Sequence, residues 1–267
     1  MYILTHYVTM CHMVKTENRL IIGNWKMNPA SLKDAERLFK DIAKSLPPLR
    51  KTKVIICAPF FYIDKLKKIS KRIVLGGQNV FGADAGPYTG EVSPRMLYDA
   101  GARYVIAGHS ERRARGEHSE DINKKIKFAL AEGITPVLCV GETVRDEEHG
   151  YFNIVKTQLE ECLTGIPKSS ISKIVIAYEP VWAISTTINH KDATPADSLE
   201  MIIFIRKILS DKFSIDSSGV KVIYGGSVNE KDAIDFLKHG GVDGLLPGRA
   251  SLNARKFLQI IKLSESI

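Results

Sequence analysis

The sequence predicts an α/β fold built as a single (β/α)8 barrel. Eight short runs rich in Val and Ile alternate with longer amphipathic stretches along 267 residues. Most of those runs are continuously apolar rather than alternating, as parallel strands covered on both faces must be. No Pro-, Gly- or Ser-rich linker divides the chain, so one barrel accounts for the whole length. A doubly wound open sheet is the competing arrangement, but no G-x-G-x-x-G follows the first run.

In chain order the strand candidates are RLIIGN (19–24), KVIICAP (53–59), RIVLGGQ (72–78) and RYVIAG (103–108), then ITPVLCV (134–140), KIVIAY (173–178), VKVIYGG (220–226) and VDGLLPG (242–248). Helix candidates lie between or after them: LKDAERLFKDIAKSL, SEDINKKIKFALAEG, IVKTQLEECL, LEMIIFIRKIL and EKDAIDFLKHG. Thr194-Pro195-Ala196-Asp197 puts a capping threonine before a proline at the first helical position. Gly133 and Gly240 fall where helices should stop. Residues 1–18 read as an N-terminal extension outside the chemistry, with Met13 as an alternative start, and residues 19–267 as the barrel.

Composition narrows the function classes. Hydrophobic residues at 44% and charged residues at 25% are those of a water-soluble globular chain with no membrane span. The formal charge of +8 is spread over Lys and Arg interleaved with acids, with no basic arm. That excludes a nucleic-acid signature and leaves attraction for a small anion. Cys11, Cys57, Cys139 and Cys162 are far apart and form no C-x-x-C pair. They read as reduced thiols of a cytoplasmic protein rather than disulfides or metal ligands.

In a barrel the chemistry gathers where strands end at their C-termini. Asn24 and Lys26 follow the first run, His109 the fourth and Glu179 the sixth, while YGGSVN and LPGRASL follow the seventh and eighth. Singly, Lys26 reads as a solvated lysine, His109 as a structural histidine, Glu179 as one half of an ion pair, and the Gly turns as connectors. Together they place a base, an imidazole, a cation and two anion-cradling turns on one rim. A glutamate there can take a proton next to a carbonyl, and a histidine and a lysine can stabilise the charge that forms on oxygen. Such proton transfer on a small phosphorylated carbonyl compound calls for neither a metal nor an organic cofactor.

The motifs GNWKMN, QNV with YTGEVSP, AGHSERR, AYEPVWAI, YGGSVN and GVDG with GRASL stand in order from Leu20 nearly to the C-terminus. On these residues the chain resembles the triosephosphate isomerase family, whose fold is the TIM barrel. The family is itself the case from which a glutamate base, a neutral histidine and loop closure are known together. The resemblance implies interconversion of dihydroxyacetone phosphate and D-glyceraldehyde 3-phosphate. It makes Glu179 the base, His109 the neutral electrophile and Lys26 the cation at the enediolate, with Asn24 orienting substrate oxygens. Glu111 becomes a supporting carboxylate beside the lysine. Ser185, Ser227, Gly248 and Arg249 become the donors of backbone N–H groups to the phosphate. The loop from Gln78 to Glu91 implies a homodimer, with Thr89 reaching the partner's Asn24 and Lys26.

Three departures qualify the likeness. The family's A-I-G-T-G-K lid reads AISTTINHKDATP here, with Ser185 and Thr187 at glycine positions and a longer segment across 185–193. Ser and Thr restrict positive φ, which implies an active isomerase whose lid closes less tightly. ERRARGE, ending at Glu117, is one residue shorter than usual. Arg249 stands where the family commonly has glycine, preceded by Pro247, so its side chain needs room and a compatible backbone. The competing functional reading, motivated by the altered lid, is a non-catalytic or impaired phosphate-binding barrel acting as a scaffold.

Overall fold

The computed structural model describes residues 19–184 and 191–267. Its strands are β1 (Arg19–Asn24), β2 (Thr52–Cys57), β3 (Val74–Gly77), β4 (Ala102–Ala107), β5 (Thr135–Val140), β6 (Val175–Tyr178), β7 (Lys221–Tyr224) and β8 (Gly244–Leu245). They close into a barrel in sequence order, each pair parallel, with β1 joined to β8. The predicted fold class is therefore the observed one.

The described helices are α1 (Leu32–Lys44), α2 (Phe60–Leu66), α3 (Pro94–Ala100), α4 (Ser110–Arg113), α5 (Ser119–Ala131), α6 (Tyr151–Leu163), α7 (Lys168–Ile171), α8 (Pro195–Phe213), α9 (Ala233–His239) and α10 (Ala254–Ser266). None of them is long and apolar enough to cross a membrane. Before α8, Thr194 forms the expected cap, completed as a capping box by Asp197. Gly133 follows α5 with φ of 72°, as a helix stop requires. α9 likewise ends as expected, with Gly240 as its C-cap in a right-handed backbone and Gly241 next at φ of 69°.

Why the strands read as unbroken apolar runs is visible in the packing. In β1, Leu20 and Ile22 point into the barrel with Ile55, Ile106, Val137 and Ile223. Ile21, between them, points outward into the layer shared with the helices, which includes Phe39, Ile42 and Phe257. Both faces are dry, so alternation in polarity would strand a polar group. β8 shrinks to Gly244–Leu245 although the apolar run is longer. Proline at 247 has no N–H to give a ladder, and its carbonyl instead accepts the N–H of Asn24 at 3.0 Å.

Candidate active site

One cleft opens at the C-terminal ends of the strands, lined by Asn24, Lys26, His109, Glu179, Gly225, Ser227, Gly248 and Arg249 among others. The structure thus gathers most of the residues the sequence singled out. Ser185 lies outside the described residues. Thr89 is exposed in the loop 78–91 and does not line the cleft of its own chain. Glu111 stands at its edge, where its carboxylate meets the Lys26 ammonium.

Glu179 follows β6 directly and is 2% exposed. Its Oε2 accepts the backbone N–H of Ser110 at 3.1 Å, at the start of α4. Its Oε1 lies 3.3 Å from His109 Nε2. Glycines hold its backbone close. A Cβ at Gly141, after β5, would sit 1.9 Å from the Glu179 carbonyl oxygen, and one at Gly225 would sit 2.8 Å from its Cγ. Only residues without a side chain fit against Glu179 on those two flanks.

His109 precedes α4 and is itself buried. Its Nδ1 accepts the N–H of Glu111 at 3.1 Å. A ring nitrogen that accepts an N–H carries no proton of its own, so the imidazole is neutral with its hydrogen on Nε2. That hydrogen faces Glu179 and the cleft.

Lys26 has φ of 52°, a left-handed conformation unusual for a residue with a Cβ. Its N–H donates to Asn24 Oδ1 at 3.0 Å, and its carbonyl accepts from Gln78 Nε2 at 2.8 Å. Asn24 therefore positions the lysine as well as lining the cleft. Lys26 Nζ lies 2.5 Å from Glu111 Oε1. Burial pushes the Glu111 carboxyl up, but the hydrogen bond and charge of Lys26 outweigh it and hold the group below its ordinary range.

The Gly-containing turns after β7 and β8 are arranged differently. The Ser227 N–H donates to the Ala183 carbonyl at 3.2 Å, whereas the N–H groups of Gly248 and Arg249 have no protein acceptor among the described residues. Arg249 opens a short 3-10 turn, Arg249–Leu252, and has no positive φ, so the backbone there accepts a side chain. Ser251 fixes the turn, donating to the Gly248 carbonyl at 2.6 Å.

Four supporting groups escaped the sequence reading. Glu142, fully buried beyond β5, accepts from Tyr178 Oη at 2.9 Å and from Trp182 Nε1 at 2.7 Å. It therefore braces both flanks of Glu179, and burial keeps its carboxyl raised although those donors pull it down. Cys139 lies beside Glu179; burial first, then the neighbouring carboxylate, pushes its thiol up, so it is no nucleophile. Arg145 pairs with Asp197 and Glu200 on α8 and stacks 5.8 Å from the Trp182 ring. Ser251 is the fourth. Glu142 follows a glycine in what reads as an ordinary polar turn, and the others carry no local signal. Glu117, despite the shortened segment before it, is bonded by Arg112 at 3.0 Å and by Lys125. Burial opposes ionisation of Glu117, but the two cations win and its carboxyl stays below the ordinary range.

Closed parallel barrels carry their chemistry on this rim. A rim whose buried carboxylate faces a neutral imidazole and a nearby ammonium belongs to an enzyme of the acid–base type. The family model of triosephosphate isomerase matches residues 19–264. Among curated relatives bearing that name, the one from Dehalococcoides mccartyi (strain ATCC BAA-2266 / KCTC 15142 / 195) is 43% identical over 253 residues, covering 93% of this chain and 98% of its own. That from Endomicrobium trichonymphae is 40% identical over 250 residues, covering 92% and 98%. That from Aquifex aeolicus (strain VF5) is 40% identical over 247 residues, covering 91% and 98%. The chain belongs to the triosephosphate isomerase family.

Proposed function

We propose that residues 19–267 form an aldose–ketose isomerase that interconverts dihydroxyacetone phosphate and D-glyceraldehyde 3-phosphate. The observation that carries the reading is the pairing of a 2%-exposed carboxylate with a neutral imidazole whose proton faces it, 3.3 Å away. Glu179 takes a proton from C1 of the ketose and returns it to C2, while the hydroxyl proton moves from the C1 oxygen to the C2 oxygen beside His109 Nε2, so protons and electron pairs balance without a further reactant. As C1 loses its proton, charge builds on the C2 oxygen. The Nε2–H of His109 and the ammonium of Lys26 meet that charge from fixed positions, which lowers the barrier to the enediolate. Asn24 holds Lys26 in place and orients substrate oxygens, and Glu111 anchors the ammonium. Backbone N–H groups of Ser185, Ser227, Gly248 and Arg249 take the phosphate.

Removing a positioned base costs on the order of 10²–10⁴-fold. A coupled assay on D-glyceraldehyde 3-phosphate should therefore give robust turnover in the unaltered chain and a drop of that order in kcat for Glu179→Gln. Undiminished turnover in the variant would remove Glu179 from the mechanism.

The chain acts as a homodimer through the loop 78–91. Met27, Phe61, Met96 and Phe60 are 93%, 62%, 59% and 54% exposed in the single chain, large apolar surface of the kind a partner covers. Thr89 of one copy would then support Asn24 and Lys26 of the other. Sedimentation should give twice the chain mass, and a fully active monomer would reject this part. The three described cysteines are free and buried, which suits a cytoplasmic enzyme. The family match begins at residue 19, and residues 1–18 are taken as an extension that plays no part in the chemistry.

A further inference from the structure

We infer that the guanidinium of Arg249 is a side-chain clamp on the substrate's phosphate, separate from the backbone N–H of the same residue. The inference rests on the isomerase reading, because the anion it would hold is that of the triose phosphate. Two cationic residues are among the described residues that line the cleft, Lys26 and Arg249. The Lys26 ammonium is already engaged 2.5 Å from Glu111. Arg249 is exposed, and its guanidinium has no ion-pair or hydrogen-bond partner among the described residues. The uncompensated positive charge on the described cleft wall is therefore that of Arg249.

Its root is fixed. Ser251 Oγ donates to the Gly248 carbonyl at 2.6 Å and reaches the Asn24 carbonyl at 3.4 Å, while the Asn24 N–H donates to the Pro247 carbonyl at 3.0 Å. The turn also lies against the other cation, since a Cβ at Gly248 would be 3.5 Å from Lys26 Cε. At this turn the backbone N–H groups of Gly248 and Arg249 stand without acceptors among the described residues. A planar fork of donors carried by a residue of the turn that offers two free N–H groups suits the oxygens of a phosphate, which carries about −1.5 to −2 charge at neutral pH. A solvated arginine elsewhere on the surface would have no such neighbours. What the backbone alone would hold, this chain holds with an added, permanently charged group.

The test compares the full-length chain with Arg249→Met and Arg249→Lys in three measurements. They are KM for D-glyceraldehyde 3-phosphate, competitive inhibition by inorganic phosphate, and kcat/KM for D-glyceraldehyde, which keeps the carbonyl and lacks the phosphate. Arg249→Met should raise KM and the inhibition constant by about tenfold, as expected for losing one charge-assisted contact at a wet site. Arg249→Lys should recover part of the loss, and added salt should narrow the gap. Turnover of D-glyceraldehyde, which offers no phosphate to hold, should change far less than KM for the triose phosphate or inhibition by inorganic phosphate. Unchanged KM and phosphate inhibition in an active Arg249→Met would overturn the clamp and leave the isomerase standing. A parallel fall with D-glyceraldehyde would also overturn it, by showing a general structural effect. If the unaltered chain does not turn over the triose phosphate, the isomerase reading fails by itself. Calorimetric titration with inorganic phosphate then decides the clamp, with equal affinity in the unaltered chain and Arg249→Met overturning it.

Discussion

The two ends of the cleft are built on opposite plans. At the proposed carbonyl end every group assigned to the reaction already has a protein partner. Both oxygens of Glu179 are engaged, His109 is held on both ring nitrogens, and Lys26 is tied at its backbone and its ammonium. At the proposed phosphate end the N–H groups of Gly248 and Arg249 and the Arg249 guanidinium are open among the described residues, and the Ser227 N–H is lent to Ala183. The open donors have no protein bond to give up, while the Glu179–His109 contact must part before a carbonyl can sit between them. On the proposed reaction, binding of the phosphate drives that parting, so remote binding energy is used at the reacting carbons.

This contrast can be broken by substitution. Changes at the carbonyl end should strike kcat, and changes at the phosphate end should strike KM. Glu179→Gln stands at the top of the series. Below it comes Gly225→Ala, which adds a group against the base rather than removing one. Its new Cβ would lie 2.8 Å from Glu179 Cγ and must push the base aside. A misplacement of about 1 Å costs roughly 10²-fold, so kcat should fall by that order while inhibition by inorganic phosphate stays near normal. Loss of phosphate affinity with an intact kcat would show that the two ends are not separable in this way.

What the sequence revealed follows the same division. Groups that interrupt a dry apolar strand stand out: Asn24, His109 and Glu179 each end one, and all three reach the cleft. The turns at Ser227 and Gly248 were legible as Gly-containing breaks. Bracing residues were not, because their meaning depends on elements far along the chain. Glu142 is 36 residues from Tyr178 and 40 from Trp182, and Ser251 is 227 from Asn24. Short helices such as α2 and α3, with 7 residues each, complete too few turns to display a period. Arg249 was visible as a departure from the family pattern, but that its guanidinium lacks a partner among the described residues is legible only in the fold.

The smallest effect should come from the brace behind the base. Trp182→Phe keeps the aromatic body and deletes the N–H that donates to Glu142 Oε1 at 2.7 Å. The other carboxyl oxygen of Glu142 is buried without a partner among the described residues. Burial already raises this carboxyl, so the folded protein binds its proton more tightly than the unfolded chain does. Its contribution to stability is complete below the unfolded value of about 4.3 and is lost as pH rises through the folded value. Deleting a donor that favours the ionised form raises the folded value further. The destabilisation by Trp182→Phe should thus be small near pH values of about 4 and grow to about 1–3 kcal/mol at neutral pH. Urea unfolding across that range measures it. Lost ring packing alone would shift stability equally at every pH, and a flat profile would assign Trp182 to packing rather than to the carboxylate that steadies Glu179.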